Sequence, residues 1–154
     1  MKNVLLSLLF LLLCTASLLS QNEADKTAIQ QVISNETAQW AAKNYDGWAK
    51  NWLQTPEIMG SFNNPDGSYT YSVGWDALSE GMKESFLQDP KPMTVEISRE
   101  NFTYRFYGNG AYVTFDQYPG KKGEVKPGKE FRIMEKTKDG WKIVSVIALW
   151  DYSK

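Results

Sequence analysis

Along the 154 residues, the spacing of apolar side chains switches from helical to alternating, and the switches divide the chain. From residue 23 to about residue 43, Ile29, Val32, Ile33 and Trp40 recur at helical spacing while Lys26, Gln30, Gln31 and Gln39 fall elsewhere around the cylinder, which predicts one long amphipathic helix. Asn44 or Asp46 is placed to cap a short second helix with Trp48, Trp52 and Leu53 on its apolar side, and Pro56 ends it. Residues 57–62 and 68–73 read as strands around the turn Asn63-Asn64-Pro65-Asp66-Gly67. A third helix follows over about 75–87, with Leu78, Met82 and Phe86 on one face.

Beyond Pro92 the period is two. Met93, Val95 and Ile97 alternate, then Phe102, Tyr104 and Phe106, with a bulge expected between them around residues 98–101. Gly108-Asn109-Gly110 is a hairpin turn, Ala111, Val113 and Phe115 alternate in the next strand, and a Gly- and Lys-rich loop spans 120–128. A strand over about 129–136 and the turn Lys138-Asp139-Gly140 lead into a last strand that is apolar on both faces. Strict alternation there puts Trp141, Ile143, Ile147 and Leu149 on one face and Val144, Val146, Ala148 and Trp150 on the other. Both faces want cover, one from the chain's own helices and the other from a second subunit or a lid. The order helix, helix, hairpin, helix, four strands defines an α+β fold.

The first twenty residues read differently. Lys2, the apolar run from Val4 to Leu13, and the small and polar residues Thr15, Ala16, Ser17 and Ser20 have the layout of a secretory signal peptide cut near Ser20 and Gln21. The run falls short of the roughly 20 apolar residues that span a bilayer. This predicts residues 1–20 as a signal peptide, residues 21–154 as a single domain, and a periplasmic or secreted location with no membrane attachment after cleavage. The only cysteine, Cys14, leaves with the signal; the large Leu13 before it argues against acylation at a lipoprotein site.

Composition narrows the chemistry. The formal charge is −1, or about −2 without Lys2, and Lys121, Lys122, Lys126 and Lys129 sit among glycines rather than in a stripe with stacking aromatics, so nucleic acid is not an expected partner. With no histidine, no cysteine after cleavage and no calcium-loop spacing of acids, neither a metal centre nor another cofactor is expected. Aromatic residues make up 14% of the chain, enough to fill a core or to line a cavity. Asn35-Glu36-Thr37 and Asn101-Phe102-Thr103 match the acceptor pattern for N-glycosylation.

The element order, together with Trp40-Ala41-Ala42-Lys43-Asn44-Tyr45-Asp46-Gly47-Trp48 and the hairpin Phe131-Arg132-Ile133-Met134-Glu135-Lys136 followed by Asp139-Gly140-Trp141-Lys142-Ile143-Val144, resembles the nuclear transport factor 2-like superfamily. That superfamily includes the ketosteroid isomerases and SnoaL-like cyclases. The resemblance implies a cone: a curved antiparallel sheet of about six strands packed around a long N-terminal helix, three helices in all, with a cavity inside and homodimers formed through the outer sheet face. It carries little catalysis over. The isomerase general base aligns near Gly60 or Ser61, its oxyanion-binding tyrosine near Glu36, and its protonated aspartate near Lys129 or Glu130. Histidine-dependent relatives are excluded by the absence of that residue.

Glu36 lies three residues beyond Ile33 and four before Trp40, beside the apolar stripe, so its carboxylate is expected to face the cavity with Arg132, Arg105 or Lys129 as cationic partner. Asp116, with Tyr112 and Tyr118 on its face of a strand, is the second acidic candidate. Arg132 either enters the cavity or lies outside in an ion pair. The residues expected to bind a ligand are Glu36, Trp40, Met59, Tyr71, Tyr104, Asp116, Arg132 and Trp150; for catalysis Glu36 and Asp116 are the candidate general bases, with Tyr71 or Tyr104 as donor. Three readings stand at this point. One is a cofactor-free binder of a small apolar or amphipathic molecule, one an isomerase, cyclase or hydratase using a cavity carboxylate, and one a dimeric interaction module with a filled cavity.

Overall fold

The computed structural model describes residues 2–121 and 123–152, with side chains from residue 22 onward. Helix α1 runs Lys2–Ala41 without a break, so it takes in the expected signal segment, whose side chains lie outside the described residues. Among the described residues no helix is long and apolar enough to cross a membrane. Helix α2, Tyr45–Ala49, is capped by Asn44, whose side chain accepts a hydrogen bond from the Gly47 amide at 3.1 Å; Asp46 sits inside the first turn instead. Helix α3, Trp75–Gln88, buries Leu78 and Phe86 as its periodicity requires.

Six strands follow the expected order: β1 Met59–Asn63, β2 Tyr69–Val73, β3 Ser98–Tyr107, β4 Gly110–Tyr118, β5 Gly128–Thr137 and β6 Gly140–Leu149. They form one curved, unclosed sheet in the order β2-β1-β6-β5-β4-β3. The sheet is mixed rather than antiparallel, because β1 runs parallel to β6 with Met59 opposite Ser145 and Phe62 opposite Ala148. Alternation assigns faces but carries no information on strand direction, and this pairing joins segments far apart in sequence. The expected strand over residues 93–97 is also absent. Ser98 already pairs with Tyr118 at the end of β4, so the preceding residues have no strand to meet, and the Met93 amide donates to the Ala41 carbonyl at 2.8 Å.

Two bulges set which side chains enter the cone. In β3 the register shifts between Glu100 and Thr103, as the sequence suggests, with Asn101 at φ 57°. In β6 the pairing steps from Ile133 opposite Ser145 to Met134 opposite Ile143, leaving Val144 unpaired. Strict alternation fails there: Trp141, Ile143, Val146 and Ala148 are buried, whereas Leu149 is exposed and Ile147 half-exposed. Trp150 lies past the strand end, where its amide donates to Asn63 Oδ1 at 2.7 Å and its ring covers Gly128.

Ile29 and Ile33 of α1, Trp48, Trp52, Ile58 and Leu78 pack against Val113, Phe115, Met134, Ile143 and Val146 of the sheet, forming one core. The opposite sheet face is left open. Tyr69, Tyr71, Val73, Tyr112, Ile133 and Leu149 project there and are exposed.

Candidate functional site

Inside the cone, six polar side chains from four elements meet. Glu36 and Thr37 come from α1, Arg99 from the start of β3, Gln117 from β4, and Glu130 and Arg132 from alternate positions of β5. Trp48 Nε1 donates to Glu36 Oε1 at 2.8 Å. Arg132 Nη1 stands 3.6 Å from Glu36 Oε2, and Arg132 Nε donates to Glu130 Oε2 at 3.1 Å. Gln117 Nε2 donates to Glu130 Oε1 at 3.2 Å and accepts from Arg99 Nε at 2.7 Å, and Arg99 Nη2 donates to Thr37 Oγ1 at 2.6 Å. The chain of contacts therefore leaves α1 at Glu36, crosses β5, β4 and β3, and returns to α1 at the next residue.

The group is nearly dry, with Glu36 9%, Arg132 4% and Glu130 2% exposed. Two carboxylates face two guanidinium groups, so the formal charges cancel, as burial demands. Burial raises the Glu130 carboxyl above its ordinary range; neighbouring Glu36 adds to this, while Arg132 and Arg99 oppose it. Arg99 is held below its ordinary value first by desolvation and then by Arg132. One polar atom of the group is unsatisfied: Arg132 Nη1 is buried without a hydrogen-bond acceptor. Aromatic rings flank the cluster. Trp48 stacks on Trp75 at 5.9 Å between centroids, and the Arg99 guanidinium lies 5.9 Å from the Phe115 ring.

Among the residues expected to bind a ligand, Glu36 and Arg132 do meet. Trp40 is half-buried beside the core, with Lys43 Nζ 5.8 Å from its ring. Tyr104 faces inward farther along β3, accepting a 2.7 Å hydrogen bond from Gln30, and burial raises its hydroxyl pKa. Asp116, Met59 and Tyr71 do not join them. Met59 and Tyr71 occupy the outer face of β1 and β2: Met59 is one step of alternation from the inward Gly60, and Tyr71 lies opposite Ser61, one step to its other side. Asp116 opens onto the outer face as well, where it pairs with Lys129 and accepts from Asn101 Nδ2 at 2.8 Å; these bonds, Lys129 first, lower its pKa. Trp150 covers the β5 edge at Gly128, away from Glu36. Of the expected cationic partners, Lys129 faces outward with Asp116, and Arg132 takes the role.

Sequence reasoning missed Arg99, Gln117 and Trp48 as members of the cluster. The period-two pattern could have placed Gln117 with Val113 and Phe115, and Glu130 with Arg132. Arg99 was hidden because it precedes the Asn101 bulge, which resets the phase of β3. A recess of about 410 Å³ lies on the outer sheet face, bounded by Thr103, Tyr112, Thr114, Asp116, Lys129 and Phe131. Among the described residues, no group of acidic side chains is arranged to hold a metal ion.

No protein-family model matches this sequence, and no curated protein matches it either. Solved structures do. A candidate dehydratase from the nuclear transport factor 2-like family of Streptomyces avermitilis superposes with a TM-score of 0.63 at 15% identity, over 82% of this chain and 96% of that one. A nuclear transport factor 2-like protein of unknown function from Shewanella oneidensis gives 0.58 at 16% identity, over 80% and 97%. A cystatin-like fold protein from Burkholderia xenovorans gives 0.57 at 14% identity, over 79% and 88%. The chain thus has the nuclear transport factor 2-like cone fold.

Proposed function

We propose that this is an exported binding domain that holds a small, largely apolar molecule inside the cone, without a cofactor, with Glu36 and Arg132 as its polar anchors. The observation that carries the reading is the charged cluster buried among aromatic rings. Buried ion pairs add little stability over apolar packing of the same volume, so an interior that only had to fold gains little from two arginines and two glutamates. A site that must orient a polar group gains a great deal. Export rests on the signal-like layout of residues 1–20.

An isomerase, cyclase or hydratase has weaker support. Asp116 faces away from the cone, and the Glu36 carboxylate accepts from Trp48 at one oxygen and from Thr37 at the other, with the Arg132 charge 3.6 Å away. The exposed outer-face side chains Tyr71, Tyr112, Ile133 and Leu149 favour a homodimer formed through that face, with the recess at Asp116 inside the contact.

Native mass spectrometry of the protein purified from its own source tests the binding reading. The expected spectrum shows a species heavier by one small molecule that denaturation releases. A bare chain mass, together with no binding of apolar probes by the purified domain, contradicts it.

A further inference from the structure

We propose that the molecule bound in the cone is a small organic acid, an apolar body ending in one carboxylate that lies against Arg132 and Arg99. This rests on the reading of the cone interior as a binding site and adds the chemical class of its ligand. The unsatisfied Arg132 Nη1 is the starting point. A guanidinium presents donors in a planar fork suited to a carboxylate, and here Nε is taken by Glu130 while Nη1 has only the Glu36 oxygen at 3.6 Å, beyond hydrogen-bond reach. Arg99, whose Nε and Nη2 are held by Gln117 and Thr37, brings a second positive charge to the same space.

Charge balance adds a consequence. The cluster is neutral before a ligand enters, so a third carboxylate leaves one uncompensated negative charge in a nearly dry site. The charged groups around Glu130 are Glu36 from α1, Arg99 from β3 and Arg132 on its own strand, while β4 contributes the neutral Gln117 and α2 the indole of Trp48. Glu130 is the carboxylate that burial already biases toward the protonated form, so a proton taken up there restores neutrality. Binding of the acid is therefore coupled to proton uptake and tightens as pH falls toward the ligand's own pKa.

Isothermal titration of the purified domain with octanoate and with octanol tests this. Octanoate is expected to bind about tenfold or more tightly than octanol, with affinity rising from pH about 8 to pH about 6. Arg132→Gln is expected to erase the preference while still binding octanol. Arg99→Gln, at the half-buried edge of the cluster, is expected to weaken the preference, and it serves if circular dichroism shows Arg132→Gln unfolded. Glu130→Gln is expected to bind octanoate with a flattened pH dependence. Equal affinity for the two probes, or a carboxylate preference that survives in folded Arg132→Gln, overturns the organic-acid inference and leaves the binding domain standing. If neither probe binds, both readings fall.

Discussion

Trp48 Nε1 and Glu36 Oε1 lie 2.8 Å apart inside the cone, so the second helix is fastened to the first through an indole and a buried carboxylate. The same carboxylate faces Arg132, which links the helical layer to the middle of the sheet. Removing it strands the Trp48 indole donor and takes away a negative charge that faces the buried Arg132. Glu36→Ala is expected to lower stability by about 3 kcal/mol, the scale seen when one member of a buried charged pair is deleted. Urea unfolding followed by tryptophan fluorescence checks this, and a loss below about 1 kcal/mol would mean the pair is effectively solvated.

The pH dependence of stability has two sides. Glu130 is raised in the folded protein, so its contribution is fully present below the ordinary glutamate range and is lost as pH rises through the raised value. Asp116 is lowered, so the contribution of its Lys129 and Asn101 bonds is present above the ordinary aspartate range and lost as pH falls through the lowered value. Glu130→Gln is expected to remove the loss on the rising side and keep the loss on the falling side. Thermal melts of both proteins across the acid and neutral range provide the measurement; an unchanged alkaline limb would contradict the assignment.

The Val144 bulge makes a prediction opposite to that of simple alternation. Val146 faces the core and Ile147 the outer surface, so Val146→Lys should cost more than about 3 kcal/mol, whereas Ile147→Lys should cost about 1 kcal/mol or less. Denaturant titration of the two variants decides between the assignments, since unbroken alternation from Trp141 reverses their order.

That case also shows how far the sequence could be read. Elements with strong local signals were legible: the Ile29, Val32, Ile33 stripe gives α1, the turn at Asp66 gives the β1-β2 hairpin, and Gly108-Asn109-Gly110 joins β3 to β4. Position inside those elements was legible only up to a bulge. In β3 the sequence hints at the irregularity, yet Arg99 lies on its far side; in β6 nothing in the apolar run from Ile143 to Leu149 marks Val144 as unpaired. Glu36 could be placed because a helix has no such phase slip. Tyr71 could not, because the sequence of β2 contains nothing that tells which face of a parallel-docked hairpin turns toward the helices.

The outer face carries a further expectation. Ile133 lies at its centre, 39% exposed on the isolated chain, so Ile133→Glu should convert a dimer to a monomer without loss of helical or sheet signal in circular dichroism. Sedimentation velocity of the two proteins reads the result; a wild-type protein that is already monomeric at high concentration contradicts the dimer.

The most direct test of the cone as the binding site is the Trp48 indole Nε1–H resonance in ¹H–¹⁵N spectra during titration with an apolar acid. Its hydrogen bond to Glu36 places it at the buried cluster, so it is predicted to shift with saturation while the amides of Tyr112 and Lys129 around the outer recess hold still. A still indole signal with the shifts gathered at Tyr112 and Lys129 would move the site to the other side of the sheet and contradict the account.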